Sequence, residues 1–242
     1  MQLKVGSLTD IGKKRKKNQD TVGSYPDLGL FLVSDGMGGH QGGETASSTT
    51  VESIFKFVEK EVKTSSYDPI TTITKAIQQA NETVYQLSLK FENLKGMGTT
   101  TTALLFQNDK LVIAHVGDSR CYYLREGGIW QVTKDHSLIE EHFQAGLIPK
   151  NAIKNHPQKN IITRSVGYDS ILEVDIYQMN TRSEDCFLIC SDGLTNLIED
   201  QKISKVLDEQ NFQLQKAAEN LVALANAQGG DDNISVLLVQ VT

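Results

Sequence analysis

Apolar residues recur along this chain in two rhythms. Over residues 44–62, Ala46, Val51, Ile54, Phe55, Val58 and Val62 fall mostly three to five residues apart, which makes one apolar stripe on a helix. Residues 69–91 repeat the spacing with Ile70, Ile73, Ile77, Ala80, Val84, Leu87 and Phe91. Pro69 suits a first helical position, where its missing N–H costs nothing, and Asp68 is placed to cap the free amides. A third amphipathic segment, 214–227, meets a stop at Gly229-Gly230. Elsewhere the rhythm shortens to period two or to brief apolar runs, which predict strands at 28–34, 99–107, 111–116, 121–124, 129–132, 171–177, 186–190 and 234–241. Asn108-Asp109 and Gly127-Gly128 predict hairpin turns. Strands, two helices, a run of strands, a helix and a last strand describe an antiparallel α+β layered domain rather than a βαβ repeat.

No repeat or linker interrupts this order, so 242 residues read as one large domain. Residues 140–164 are the exception: they are irregular and too long for an ordinary connection, which suggests a small subdomain or a mobile flap. No apolar run approaches the roughly 20 residues of a membrane helix. The first residues lack the apolar core of a signal peptide, so the expected compartment is the cytoplasm. Thirty acidic against 24 basic residues give a net charge of −6, which argues against nucleic-acid binding through bulk charge. The three cysteines show no ligand spacing and no nearby base, and are read as reduced, half-buried strand residues.

The chemistry lies in aspartates set beside glycines at strand ends. Four strings share this form: Ser34-Asp35-Gly36-Met37-Gly38-Gly39-His40, Gly117-Asp118-Ser119-Arg120, Ser191-Asp192-Gly193 and Gly229-Gly230-Asp231-Asp232-Asn233. Alone, any Asp-Gly is a turn. Together, converging carboxylates at buried strand ends repel one another unless protonated or neutralised, and hard divalent cations with oxygen ligands do the latter. A fifth string, Thr9 to Asp20, holds five consecutive basic residues. Its lysines can be a solvated run or a localisation signal, whereas the planar fork of Arg15 can grip phosphate oxygens at two points.

The ordered set Gly12-x-x-Arg15-x-x-Asn18-x-Asp20, Asp35-Gly36-Met37-Gly38-Gly39-His40, Gly98-Thr99-Thr100, Gly117-Asp118-Ser119-Arg120, Ser191-Asp192-Gly193 and Asp232-Asn233 resembles the metal-dependent protein phosphatases of the 2C type, in their compact bacterial form. The resemblance covers nearly the whole chain. It implies a four-layer αββα sandwich of two mainly antiparallel sheets flanked by helix pairs, with a two-metal centre at one end and a flap at 140–164. By the same resemblance Asp35 bridges two Mn²⁺ or Mg²⁺ ions, Gly36 offers its carbonyl, and Asp192 and Asp232 complete the other site. Asp20 holds metal-bound water, and Asp118, shared with Asp192, serves a weaker third ion. Arg15 clamps the substrate phosphate and His40 protonates the leaving oxygen. Asp231 is a neighbour of the ligand position, and Gln19 departs from relatives that carry Glu there.

The implied activity is hydrolysis of phosphoserine and phosphothreonine by a metal-bridging hydroxide, without a protein nucleophile, in a monomer that opposes a bacterial serine/threonine kinase. A hydrolase of nucleotides or small phosphomonoesters is the rival enzyme reading, but no phosphate-cradling glycine loop is present. A phosphoprotein-binding module is the rival outside catalysis, and the full set of aspartates argues against it.

Overall fold

Central strands with apolar residues on both faces must be covered twice, and this dictates layers. The computed structural model describes residues 2–39, 41–63, 67–153 and 156–242. Its elements run β1 (Leu3–Asp10), β2 (Asp20–Tyr25), β3 (Leu30–Met37), α1 (Gly42–Glu61), α2 (Pro69–Lys90), β4 (Gly98–Thr99), β5 (Thr101–Gln107), β6 (Lys110–Val116), β7 (Arg120–Arg125), β8 (Gly128–Gln131), α3 (Leu138–Gln144), α4 (Lys150–Ile153), β9 (Asp175–Asn180), β10 (Cys186–Cys190), α5 (Asp192–Thr195), α6 (Asp200–Glu209), α7 (Leu214–Ala227) and β11 (Ile234–Val241).

One sheet has the order β1-β11-β10-β7-β8 and the other β2-β3-β5-β6-β9, with β4 added to β3. The pairings are antiparallel. Strand alternation then sorts the core. Leu30 and Leu32 of β3 face Ile54 of α1 and Ile73 and Ile77 of α2. Phe31 and Val33, on the opposite face, meet Phe187 and Leu237 of the second sheet. The far face of that sheet packs Leu188 and Leu238 on Leu207, Ala218 and Leu221 of α6 and α7. The result is helices, sheet, sheet, helices, as expected. Phe106 holds the centre by edge-on contacts with Phe31 and Phe187, at centroid distances of 5.9 and 5.8 Å.

All three predicted helices are present, and Asp68 caps α2 by accepting from the Thr71 N–H at 2.8 Å. Several strands differ from expectation. β3 runs on past Ser34 to Met37, because β4 supplies Gly98 and Thr99 as partners for Met37 and Gly36. The predicted strand 99–107 breaks at Thr100, which turns aside to bond the Asp35 carbonyl. The ninth strand starts at Asp175 and not at 171, since the partner ladder on β6 ends at His115 and leaves Ile171 88% exposed. The β7–β8 turn falls on Glu126 and Gly127, both with positive φ, one residue earlier than predicted. Elements without a counterpart in the expectation include the edge strands β1 and β2, the short helices α3, α4 and α5, and α6.

Residues 140–164 are not wholly irregular, for they contain most of α3 and all of α4. Positions 154 and 155 lie outside the described residues. The segment's neck is closed by antiparallel bonds, Leu138 N–H to Ile161 O at 2.9 Å and Thr163 N–H to His136 O at 2.9 Å. Among the described residues no helix is long and apolar enough to cross a membrane.

Candidate metal centre

Asp20 opens β2 and Asp35 lies near the end of β3, and the register sets them directly opposite each other. Paired strand residues share a face, so two carboxylates are forced side by side, which is repulsive on its own. From the second sheet, Asp192 follows β10 as the first residue of α5, and Asp232 stands just before β11. The Ser191 hydroxyl links the two groups by donating to Asp20 Oδ2 at 2.7 Å. Asp118 sits in the turn between β6 and β7. The structure therefore brings Asp20, Asp35, Asp118, Asp192 and Asp232 to one end of the sandwich.

Their electrostatics follow from this crowding. Burial is the largest cause raising the carboxyl pKa of Asp20, Asp35, Asp118 and Asp192 above the ordinary value. Neighbouring carboxylates add to it: Asp20, Asp192, Asp118 and Asp232 at Asp35, Asp192 at Asp118, and Asp232 at Asp192. At Asp20 the hydroxyls of Ser235 and Ser191 partly offset the rise.

Oδ1 of Asp20 and Oδ1 of Asp192 are buried and accept no hydrogen bond. Leaving such an oxygen unpaired costs roughly 1–3 kcal/mol, which an oxygen-binding cation would remove. The donors are all hard oxygens, so these residues fit Mg²⁺ or Mn²⁺ better than a soft metal. Among the described residues no three acidic, histidine or cysteine side chains close into a ready-made cage. Besides the Ser191 bond to Asp20, donors of the chain itself engage two more of the carboxylates: Arg15 Nη2 lies 2.7 Å from Asp232 Oδ2, and Asn196 Nδ2 lies 2.9 Å from Asp192 Oδ2.

The basic loop is fastened over the last acidic string. Gly12 has φ +76°, and a Cβ there would stand 2.2 Å from the Asp232 carbonyl oxygen, so only glycine permits the crossing. The N–H groups of Lys13 and Lys14 donate to Gly230 O at 2.8 and 3.2 Å. Arg15 then pairs with Asp232, while Lys14 pairs with Asp231 at 2.5 Å on the open side. The two adjacent acids are thus separated: Asp232 joins the cluster and Asp231 turns to solvent. At Gly36 a Cβ would stand 2.0 Å from the Gly43 carbonyl oxygen, so the first turn of α1 leaves no room for a side chain there. His40 lies outside the described residues.

Two supporting residues had no assigned role in the sequence. Asn233 donates to the carbonyls of Ile11 and Lys17, both at 2.9 Å, and accepts from Gln19 N–H at 2.8 Å, which ties the Arg15 loop to β11. Thr100 accepts from Asp35 N–H at 2.9 Å and shares a 2.8 Å hydrogen bond with Ser119, beside Asp118. Their place within the quoted strings was the available signal. Gln19, the departure from some relatives, directs its amide to the Gly38 carbonyl at 3.4 Å.

The three cysteines are free but fully buried, not half-buried, because helices cover one face of their sheet and the second sheet covers the other. Burial pushes their thiols up, Cys186 to about 12, so none is a thiolate near neutrality. Beside Asp118 and Asp192 a cavity of about 470 Å³ opens between α5, α6 and residues 137–140, 153 and 159–160, with Glu140, Lys159 and Asn196 among its lining. Lys159 donates to Asn196 Oδ1 at 3.0 Å, so this segment reaches Asp192 through one amide.

Comparison with known proteins gives this geometry a context. Residues 12–228 match the family described as protein phosphatase 2C. A serine/threonine phosphatase of Listeria monocytogenes is 36% identical over 236 residues, covering 96% of this chain and 93% of its own. The crystal structure of the Mycobacterium tuberculosis serine/threonine phosphatase PstP superposes with a TM-score of 0.92 at 31% identity, covering 100% and 99% of the two chains. A PstP catalytic domain in complex with two manganese ions superposes at 0.88, with 30% identity over 98% and 97%. The family match ends just ahead of the Asp231-Asp232 string, the superposition on PstP covers the whole chain, and the chain belongs to the protein phosphatase 2C family.

Proposed function

We propose that this chain hydrolyses phosphoserine and phosphothreonine esters of proteins with the help of two divalent ions, Mn²⁺ or Mg²⁺. The observation that carries the reading is the convergence of five aspartates, two of them with orphaned buried oxygens, at one end of the sandwich. In this reading Asp35 serves both ions, Gly36 contributes its carbonyl, Asp192 and Asp232 complete the second site, and Asp20 orients water. Asp118 serves a third, weaker ion together with Asp192. The ions, when bound, activate water and offset charge on the phosphoryl oxygens.

The chain's own groups do the rest. Arg15 exchanges part of its contact with Asp232 for two phosphate oxygens, which its planar guanidinium can hold at once. His40, between Gly39 and Gln41 ahead of α1, protonates the serine or threonine alkoxide as it leaves, an assistance worth typically ~10²–10⁴-fold. Residues 140–164 act as a flap over the cavity at Asp118, and the whole chain works as one catalytic domain. A cytoplasmic monomer that opposes a serine/threonine kinase completes the reading: free cysteines suit a reducing compartment, and the substrates must come from a phosphorylating enzyme.

Phosphate release from phosphothreonine, phosphoserine and phosphotyrosine peptides, with added Mn²⁺ and with chelator, tests the proposal. Turnover of the first two that chelator stops is expected; undiminished turnover after exhaustive chelation overturns the metal-assisted reading. Arg15→Ala is expected to raise KM about tenfold or more with a smaller change in kcat, whereas Lys13→Ala and Lys17→Ala change little. Equal effects at all three positions would make the loop a generic basic patch.

A further inference from the structure

The turn that carries Asp118 is held from both sides by buried polar groups. On the Ser119 side, Thr100 bonds the Ser119 hydroxyl at 2.8 Å and Thr102 donates to the Ser119 carbonyl at 3.0 Å. On the Gly117 side, a single residue makes both bonds. His136 N–H donates to Gly117 O at 2.7 Å, and Gly117 N–H donates to His136 Nδ1 at 3.0 Å. Gly117 has φ +108°, so this clasp fixes a backbone turn that few other residues could adopt.

The same histidine stands at the neck of the segment 140–164. Its carbonyl accepts from Thr163 N–H at 2.9 Å, and its Nε2 lies 3.2 Å from Asp175 Oδ2 on β9. Asp175 also binds Arg164 at 2.5 Å through its other oxygen. Because Nδ1 accepts from Gly117, a neutral ring carries its proton on Nε2 and donates it to Asp175. The 3.2 Å approach of Arg164 Nη1 to that nitrogen is then a contact between two donors, bridged by the carboxylate. The ring is 8% exposed, and burial, with the Arg164 charge next, lowers its pKa, which favours the neutral form. On its other side it lies against the His115 ring, 4.8 Å between centroids.

We propose that His136 is a positioning residue that ties the neck of the flap to the turn carrying Asp118, so that the Gly117 side of that turn keeps its anchor while residues 163 and 164 are docked. The inference rests on the phosphatase reading for its effect on turnover, but the mechanical link stands on hydrogen bonds alone. A flap that shifts with the bound phosphoprotein then changes the position of Asp118 through one imidazole.

Two substitutions separate the two halves of the link in the 242-residue chain. Asn at 136 can offer an oxygen where Nδ1 accepts from Gly117, yet is too short to reach Asp175. Gln can reach Asp175 but withdraws the acceptor from Gly117. Amide hydrogen exchange without metal or substrate is the readout that needs no activity. His136→Asn is expected to keep Gly117 protected while exchange at 161–166 rises, and His136→Gln to do the reverse. Each is expected to lower kcat on phosphothreonine peptide about tenfold or more, the usual cost of losing a supporting contact of this kind. In the wild-type chain, ¹⁵N NMR of His136 is expected to show the Nε2–H tautomer, and a proton on Nδ1 overturns the proposal. So does wild-type turnover in His136→Asn with raised exchange at 161–166, which leaves the histidine a structural anchor only. If the wild-type chain releases no phosphate, the functional reading fails while the exchange data still decide the link.

Discussion

Asp35→Asn is expected to leave a folded protein whose turnover has fallen on the order of 10³-fold or more, the scale of losing a preorganised charge. The substitution keeps the side chain's shape. It also keeps the bonds that place it, because Thr100 Oγ accepts from the backbone N–H of residue 35 and Thr99 Oγ donates to its carbonyl. What disappears is one negative charge facing Asp20, Asp192 and Asp118. In chelated protein that loss relieves repulsion, so the variant should melt at a higher temperature than the wild type. Added Mn²⁺ should then stabilise it less, by mass action on fewer or weaker sites. Calorimetry showing two ions bound as in the wild type would remove Asp35 from its bridging place, whatever the activity.

The second large effect belongs to Asp118→Ala. Asp118 lines the cavity beside Asp192 but does not pair across the ladder with the central carboxylates. An ion held there has few protein ligands and should bind weakly, on the order of mM. Removing the side chain is expected to spare two tighter ions and the fold, while phosphoprotein turnover drops on the order of 10²-fold. The rate should be followed across a Mn²⁺ titration with a phosphothreonine protein. A wild-type rate throughout would return Asp118 to the status of a turn residue.

Much of this architecture could be read from the sequence because the central strands and the long helices are covered on their apolar faces. Leu30–Val33 and Leu237–Val239 are apolar at every position since each face meets a different layer. The edge strands were silent for the opposite reason. β1 has one fully buried position, and that is Gly6, so no apolar period marks it. β2 likewise buries Asp20 and Gly23. α6 turns inward on only Ile203, Val206 and Leu207 among its apolar residues, too short a stripe to stand out. At the site the aspartates were legible as strings, but their mutual distances depend on register: nothing local in the sequence says that Asp20 lies opposite Asp35. The tasks of Asn233 and His136 were hidden for a similar reason, as their partners are far along the chain, Ile11 for one and Gly117 for the other.

The seam between the sheets has a consequence of its own. Asp20 and Asp35 hang from one sheet, Asp192 and Asp232 from the other, and the two sheets meet through the aromatic layer of Phe31, Phe106 and Phe187. The centre therefore behaves like the jaws of a vice whose opening is set by the screw, here the thickness of that layer. A cavity made deep in the core, far from any carboxylate, would let the jaws drift and detune the spacing of the acids before the protein unfolds. Neither sheet alone carries the full set of aspartates, so the cluster cannot be moved to another scaffold by grafting a loop; the inter-sheet core has to go with it.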